Sequence, residues 1–252
     1  MADATSTSTQ EAAQEALHLV TLPPAFGMRN ISPFCLKIEM LLNDLQLDFT
    51  VGEEGNPSNT PKGKLPYMNI GGRSLADSEL IGSYLDERTN GAVFAGLTDA
   101  QKGHGWAATR LAEDHLYWLM VGSRWLDDKW WPNVVGGFFG IFPAIIRPVA
   151  TYFARKEVTK TLYLQGLGRH SHEEQEGFAH RDFAALQGCV SAEGFLCGAT
   201  PNYFDYSVAA VLAGIYDNEP ATWLTTLAMD YPDLREYTDR VQSHVGVFGR
   251  YV

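Results

Sequence analysis

A serine at the start of a predicted helix is the first candidate for chemistry. Ser32 precedes Pro33, and from Phe34 onward apolar residues recur at helical spacing: Ile38, Leu41, Leu42 and Leu45. Serine is a favoured N-cap residue, and proline suits the first helical position. Backbone N–H groups at a helix N-terminus are unpaired and favour an anion such as a thiolate. Ser32 could therefore hold an anion, or it could only cap its helix.

A proline at the start of a predicted strand is the second candidate. Gly63-Lys64-Leu65-Pro66 follows a long polar connection and opens the run Leu65 to Ile70. An X-Pro bond at this place is a candidate cis peptide, which would turn the Leu65 N–H and C=O outward to pair with an extended peptide. The alternative is a proline that only begins its strand.

Asp77 and Ser78 form the third candidate, because they stand at the start of another predicted helix. The Ser78 N–H can donate a hydrogen bond to a carboxylate, and the Asp77 carboxylate can accept one from an ammonium group. Together they could hold the two charged groups of an amino acid terminus. The alternative is that Asp77 only caps the helix.

The elements that must position these residues form two halves. Residues 17–88 read as strand, helix, strand, connection, hairpin and helix, with Gly71-Gly72 as the hairpin turn. This order predicts a small thioredoxin-like α/β domain. Residues 1–16 are small and polar, and we expect a disordered lead. Residues 98–252, beyond a glycine-containing linker, are predicted to be an all-helical domain.

The helical half offers an aromatic and charged stripe near its start. Trp106, Arg110 and Tyr117 lie at helical spacing and could line a second-substrate site, although a core stripe has the same pattern. The most apolar run, Val134 to Ile146, is interrupted by Pro143 and is too short to span a bilayer as a helix. We expect this run to be a buried or pocket-covering loop.

Composition excludes several classes of function. The formal net charge of −11 argues against nucleic acid and against an anionic membrane as partners. Three cysteines cannot form a disulfide framework, and a reducing, cytoplasmic setting is expected. Cys35 stands one turn inside its helix without a resolving partner, which favours inert packing. The histidines show no metal-ligand spacing, so no metal is expected.

With these motifs in place, the chain resembles the glutathione-transferase fold, in the branch that includes failed axon connections, metaxins and bacterial relatives. The resemblance is carried by residues 28–45, 60–85, 163–175 and 202–216. It implies that glutathione is held by Lys64, by the Leu65 backbone ahead of a cis Pro66, and by Asp77 and Ser78. It also implies that Ser32 faces the glutathione sulfur. Asn30 could orient the thiolate by hydrogen bonding, or it could be a turn residue.

The resemblance predicts a glutathione transferase. Glutathione would be the co-substrate, and its thiolate would attack a small hydrophobic electrophile held by the helical half. A homodimer with a detoxification role is expected, with no nucleic acid and no membrane as partner. The alternative is a non-catalytic protein of the same fold that binds a ligand or a partner chain, because a fold alone does not fix function.

Overall fold

The computed structural model describes residues 15–140 and 142–252. The predicted disordered lead, residues 1–16, therefore lies outside the described residues except for its last two. Among the described residues, no helix has both the length and the apolar character needed to cross a membrane.

A four-stranded mixed sheet forms the first half of the chain. The strands are β1 (Leu17–Thr21), β2 (Phe49–Glu53), β3 (Tyr67–Ile70) and β4 (Arg73–Ala76), and their order in the sheet is β2-β1-β3-β4. The central strand β1 pairs in parallel with β2 and antiparallel with β3, and β3 and β4 form the predicted hairpin. Gly71 and Gly72 both adopt positive φ in the turn, which glycine does at no steric cost.

Two helices pack against this sheet, α1 (Pro33–Asp44) and α2 (Ser78–Arg88). Ser32 is the N-cap of α1 and Asp77 is the N-cap of α2, as the cap residues predict. The parallel β1-α1-β2 unit followed by the β3-β4 hairpin and α2 is the predicted thioredoxin-like arrangement. The N-termini of both helices therefore become available to one site.

The second half is built from helices joined by turns and loops. A π-helical segment, Leu111–Leu116, lies between α3 (Asp99–Arg110) and α4 (Tyr117–Trp125). The helices are α3 (Asp99–Arg110), α4 (Tyr117–Trp125), α5 (Trp131–Phe139), α6 (Arg147–Gln165), α7 (His172–Cys189), α8 (Tyr203–Tyr216), α9 (Trp223–Ala228) and α10 (Pro232–Val245). The structure thus has the predicted fold class, an α/β half followed by an all-helical half.

Helix α8 lies at the centre of the molecule. Every one of its residues is buried, as its nearly all-apolar sequence predicts. A capping box between Asn202 and Asp205 fixes its start. Helix α8 packs against both α1 and α10, and one hydrophobic core includes residues of both halves. This shared core sets the positions of the two halves.

The prediction for Val134 to Ile146 is wrong in two respects. Its first part belongs to α5, which Pro132 can begin because proline is accommodated in the first turn of a helix. Val134 is buried there with Phe26 and Trp130 in a second, smaller core. The last part is exposed, with Ile145 at 91%. The described residues of this run, 134–140 and 142–146, do not line the cleft described below.

Candidate functional site

A cleft of about 470 Å³ lies between the two halves of the chain. The first half contributes the loop before β3, the start of α2 and the first turn of α1. The helical half contributes the end of α3, the π-helical segment and the start of α4. The lining residues are Leu22, Phe34, Pro57, Lys62, Gly63, Lys64, Leu65, Pro66, Asp77, Ser78, Glu79, Arg110, Glu113, Asp114, Tyr117 and Trp118.

The loop before β3 forms one edge of the cleft. The Leu65–Pro66 peptide bond is cis, as expected from the sequence. The Asp77 N–H donates to the Pro66 carbonyl at 3.4 Å, which ties this loop to the start of α2. Within the part of the chain that the structure describes, the Leu65 backbone makes no hydrogen bond. Its N–H and C=O are therefore available to a ligand in the cleft.

The start of α2 forms the end of the cleft. Asp77 Oδ1 accepts hydrogen bonds from the backbone N–H groups of Glu79 at 2.9 Å and Leu80 at 3.3 Å. Both of these bonds use Oδ1, which leaves Oδ2 for a ligand. Asp77 has a φ of 98°, a conformation that costs a non-glycine residue energy and that concentrates at functional sites. Ser78 is buried beside it.

Two lysines stand at the exposed rim of the same edge. Lys62 and Lys64 both line the cleft and are both exposed. Neither forms an ion pair with any residue in the ranges 15–140 and 142–252. Two ammonium groups at one rim favour an anionic end of a ligand.

The helical wall combines aromatic rings with paired charges. The rings of Phe34 and Tyr117 meet edge to face with centroids 4.9 Å apart, and Tyr117 also contacts Trp118. Burial raises the pKa of Tyr117, so its phenol stays protonated at neutral pH. Arg110 Nη2 forms an ion pair with Glu79 Oε2 at 2.7 Å, and this pair joins the helical wall to α2. This wall offers an apolar surface next to the polar edge.

A buried ion pair connects the wall to α1. Lys37 Nζ donates to Glu113 Oε1 at 2.9 Å, and both side chains are almost fully buried. The same ammonium group lies 4.4 Å from the centre of the Tyr203 ring. Glu113 belongs to the π-helical segment, a kind of helix that often occurs at functional sites.

The structure places Ser32 and Asn30 at the tip of α1, outside the set of residues that line the cleft. Both side chains are more than nine-tenths buried. Ser32 Oγ accepts from the Cys35 N–H at 3.3 Å, which is the N-cap bond. Asn30 Oδ1 accepts from the Ser32 N–H at 3.3 Å, and its amide donates to Glu39. Asn30 therefore supports the Ser32 backbone, and the adjoining Phe34 is the residue that reaches the cleft.

The remaining predicted residues divide between cleft and core. Arg110 and Tyr117 line the cleft, whereas Trp106 does not. The Trp106 ring packs against Phe204 at 5.3 Å and against the neighbouring aromatic residues of the core. Burial raises the pKa of the Cys35 thiol to about 12, which agrees with inert packing.

Sequence reasoning did not select several lining residues. Phe34 follows Ser32 and Pro33 at the helix tip, and Lys62 lies one residue before the Gly63-Lys64 pair, so both could have been found from their position. Glu79 could be found only from its pairing with Arg110 across the two halves. Among the described residues, no group of acidic, histidine or cysteine side chains is arranged to hold a metal ion.

Three comparisons with known proteins bear on this site. The family model for the glutathione S-transferase N-terminal domain matches residues 33–130. The chain is 28% identical to isoprene-epoxide–glutathione S-transferase of Rhodococcus sp. (strain AD45), covering 89% of this chain and 97% of that protein. It is also 28% identical to Failed axon connections of Drosophila melanogaster, covering 74% of this chain but only 47% of that protein.

The fold has solved counterparts. A glutathione S-transferase from Methylobacterium radiotolerans, solved in complex with glutathione sulfonate, superposes with a TM-score of 0.60 at 13% identity. The match covers 94% of this chain and 97% of that protein. At this identity the likeness concerns the fold alone.

Proposed function

We propose that the chain is a glutathione transferase, as its sequence predicts; the match of residues 33–130 to the glutathione S-transferase N-terminal domain and the 28% identity to the Rhodococcus enzyme support this proposal. It binds glutathione in the cleft between its halves and transfers the glutathione sulfur to a small hydrophobic electrophile. The single observation that carries this proposal is the meeting, in one cleft, of an unpaired loop edge, the capped start of α2 and an aromatic wall.

The polar edge of the cleft fits glutathione group by group. The γ-glutamyl ammonium group pairs with the free Asp77 carboxylate oxygen, and its carboxylate accepts from the Ser78 N–H at the start of α2. The cysteinyl unit pairs with the open backbone of Leu65 ahead of Pro66. The glycyl carboxylate lies near the Lys64 ammonium group at the rim, with Lys62 adding charge.

The thiol is activated at the tip of α1. Ser32 Oγ accepts one hydrogen bond from the Cys35 N–H and keeps a hydroxyl proton that it can donate to a thiolate. Asn30 holds the Ser32 backbone in place. A shift of one to two units below the free thiol pKa is worth about 1.4–2.7 kcal/mol. One hydrogen bond to a charged group supplies about 1.5–3 kcal/mol, which is enough.

The electrophile binds against Phe34, Tyr117 and Trp118, with Arg110 at the edge of this surface. An epoxide is the class that the Rhodococcus relative supports by its name. The thiolate sulfur attacks one epoxide carbon and forms a C–S bond while the C–O bond breaks. The oxygen keeps the electron pair and takes a proton from water, with the neutral Tyr117 phenol as a hydrogen-bond donor in the wall. The product is a hydroxyalkyl thioether of glutathione.

A second candidate is a non-catalytic binding protein of the same fold. It is favoured by one observation: Ser32 and Asn30 are buried and lie outside the set of cleft-lining residues. Such a protein would bind glutathione or a partner without activating the thiol. A cytoplasmic location, a detoxification role and a homodimer remain part of our main proposal.

The test is a conjugation assay with glutathione and a set of small alkene epoxides, read by mass spectrometry of the thioether. We expect product with the wild-type protein above the uncatalysed rate, and none above that rate with a Tyr117→Asp variant, which places a charge on the apolar wall. Glutathione binding without any conjugation of epoxides, halides or activated double bonds would favour the second candidate.

A further inference from the structure

A chain of buried hydrogen bonds leads from Ser32 to a carboxylate on the same helix. The Ser32 N–H donates to Asn30 Oδ1 at 3.3 Å, and the Asn30 amide nitrogen donates to Glu39 Oε2 at 3.3 Å. All three residues are more than nine-tenths buried. A carboxylate only accepts hydrogen bonds, so Glu39 holds the nitrogen end of the Asn30 amide and leaves its oxygen end for the serine. Glu39 therefore determines which end of Asn30 meets Ser32.

The Glu39 carboxylate is itself held by an arginine. Arg29 Nη1 forms an ion pair with Glu39 Oε1 at 2.7 Å. The same guanidinium group donates two hydrogen bonds to the Phe248 carbonyl, from Nε at 3.1 Å and from Nη2 at 2.7 Å. A planar guanidinium group with three such bonds is held in one orientation. Both oxygens of Glu39 are thus oriented, one by Arg29 and the other by Asn30.

The segment after α10, residues 247–250, also holds the loop before Ser32 through its backbone. The Gly249 carbonyl accepts from the N–H groups of Arg29 and Asn30, at 2.8 Å and 3.1 Å. The Gly249 N–H donates to Gln242 Oε1 at 2.7 Å, and Gln242 is fully buried on α10. The last helix of the second half therefore anchors the loop that leads to the tip of α1.

The anchored residues lie behind the cleft. Neither Arg29 nor Glu39 is among the residues that line it, so neither is placed to touch glutathione. Ser32 is buried and its Oγ also accepts the N-cap bond from the Cys35 N–H, so the direction of its hydroxyl depends on the backbone that carries it. The bond from the Ser32 N–H to Asn30 holds that backbone. A change at Glu39 reaches the cleft only through these two residues.

We propose that Glu39 is a positioning residue for Ser32. Through the Asn30 amide it fixes the backbone that carries the serine hydroxyl, and Arg29 and the 247–250 segment hold the Glu39 carboxylate in place. This inference rests on the proposed function, because it assigns Glu39 to the activation of glutathione at the tip of α1. It extends the machinery for that step to a residue 219 positions away from Arg29 in the sequence, Phe248.

The test measures two properties of bound glutathione, its dissociation constant by calorimetry and the pKa of its thiol from thiolate absorbance against pH. Glu39→Leu should leave the dissociation constant within about twofold of wild type and raise the thiol pKa by at least about half a unit. Glu39→Gln keeps an oxygen that can accept from Asn30 and should recover most of that shift. A Glu39→Leu variant with a lower melting temperature and an unchanged thiol pKa would overturn the proposal.

A double-mutant cycle with Ser32→Gly asks whether Glu39 acts through the serine. Once the hydroxyl is absent, Glu39→Leu should raise the thiol pKa no further, so the two single effects should not add. Additive shifts would overturn the proposal, because they would show that Glu39 acts on the thiol by another route. Arg29→Met removes the tie to Phe248 and should raise the thiol pKa in the same direction. A wild-type value in that variant would overturn the role of the 247–250 segment.

Asp128→Leu is the matched control, because Asp128 also pairs with an arginine, Arg155, at 2.6 Å, but on the loop before α5. This variant should leave both properties unchanged. Failure of the proposed function gives a different result from failure of this inference. Wild-type protein that does not lower the thiol pKa of glutathione would contradict both. A lowered wild-type pKa that Glu39→Leu leaves unchanged would contradict the positioning role alone.

Discussion

Lys37 Nζ lies 2.9 Å from Glu113 Oε1, and this buried pair joins the first helix of the sheet half to the wall of the cleft. The pair crosses the boundary between the two halves, with Lys37 on α1 and Glu113 on the π-helical segment. The Lys37 ammonium group also contacts the Tyr203 ring of the central helix α8. The pair therefore ties the wall of the cleft to the helix that carries Ser32.

Removing one partner of this pair should destabilise the fold strongly. Lys37→Met leaves the Glu113 carboxylate buried and unpaired, which typically costs about 3–5 kcal/mol. The double variant Lys37→Met/Glu113→Leu removes both charges and should regain most of that loss. Urea unfolding of the three proteins measures the difference. Single and double variants of equal stability would show that the pair contributes only packing.

Asp77→Asn should separate ligand binding from capping. Asparagine caps a helix as well as aspartate does, so the free energy of unfolding should stay within about 0.5 kcal/mol of wild type. The lost charge should weaken glutathione binding about ten- to hundredfold, measured by calorimetry.

Asp77→Gly is the matched second variant. Glycine adopts the positive φ of this position without strain. As an N-cap, glycine is only a few tenths of a kcal/mol less stabilising than aspartate, and the relief of backbone strain offsets about that loss. We expect near wild-type stability and the same loss of affinity. Unchanged affinity with a lower melting temperature in both variants would return Asp77 to the role of a cap alone.

The ion pair between His115 and Asp182 should make stability depend on pH. His115 Nδ1 lies 2.6 Å from Asp182 Oδ2, and the hydrogen bond to that carboxylate raises the pKa of His115 above its ordinary value of 6.5. A raised pKa in the folded state stabilises the fold below pH 6.5, and this contribution is lost as the pH rises through the folded-state pKa. The melting-temperature difference between wild type and His115→Gln should be largest below pH 6.5 and shrink as the pH rises through the raised pKa of His115. A difference that does not change with pH would mean that His115 is neutral throughout.

Much of the site could be predicted because its backbone features are local. Three pairs of adjacent residues predict a cap or a turn, and the structure has a cap or a turn at each of them: Ser32-Pro33, Leu65-Pro66 and Asp77-Ser78. The hairpin turn at Gly71-Gly72 could be predicted for the same reason. The predicted domain boundaries at residues 88 and 98 stay predictions.

The rest depends on contacts between distant residues. No local pattern shows that Glu113 reaches Lys37 or that Arg110 reaches Glu79, because each pair spans the two halves. Trp106 lies at the helical spacing expected of a residue that lines a pocket, and a core residue can have the same spacing. In the structure its ring packs against Tyr203 and Phe204 of α8. The run from Val134 to Ile146 shows that apolar character alone does not predict burial, because Val134 is buried whereas Ile145 is exposed.

The most direct measurement is the pKa of the thiol of bound glutathione, followed as thiolate absorbance against pH. For wild-type protein we expect a value at least one unit below the free thiol value of about 8.5. Ser32→Gly, which keeps most of the cap but removes the hydroxyl, should bind glutathione normally and raise the bound thiol pKa back toward the free value. Ser32→Ala should do the same at a cost of about 1 kcal/mol in stability. Bound glutathione that titrates in the wild-type protein at the free value would contradict thiol activation in this cleft.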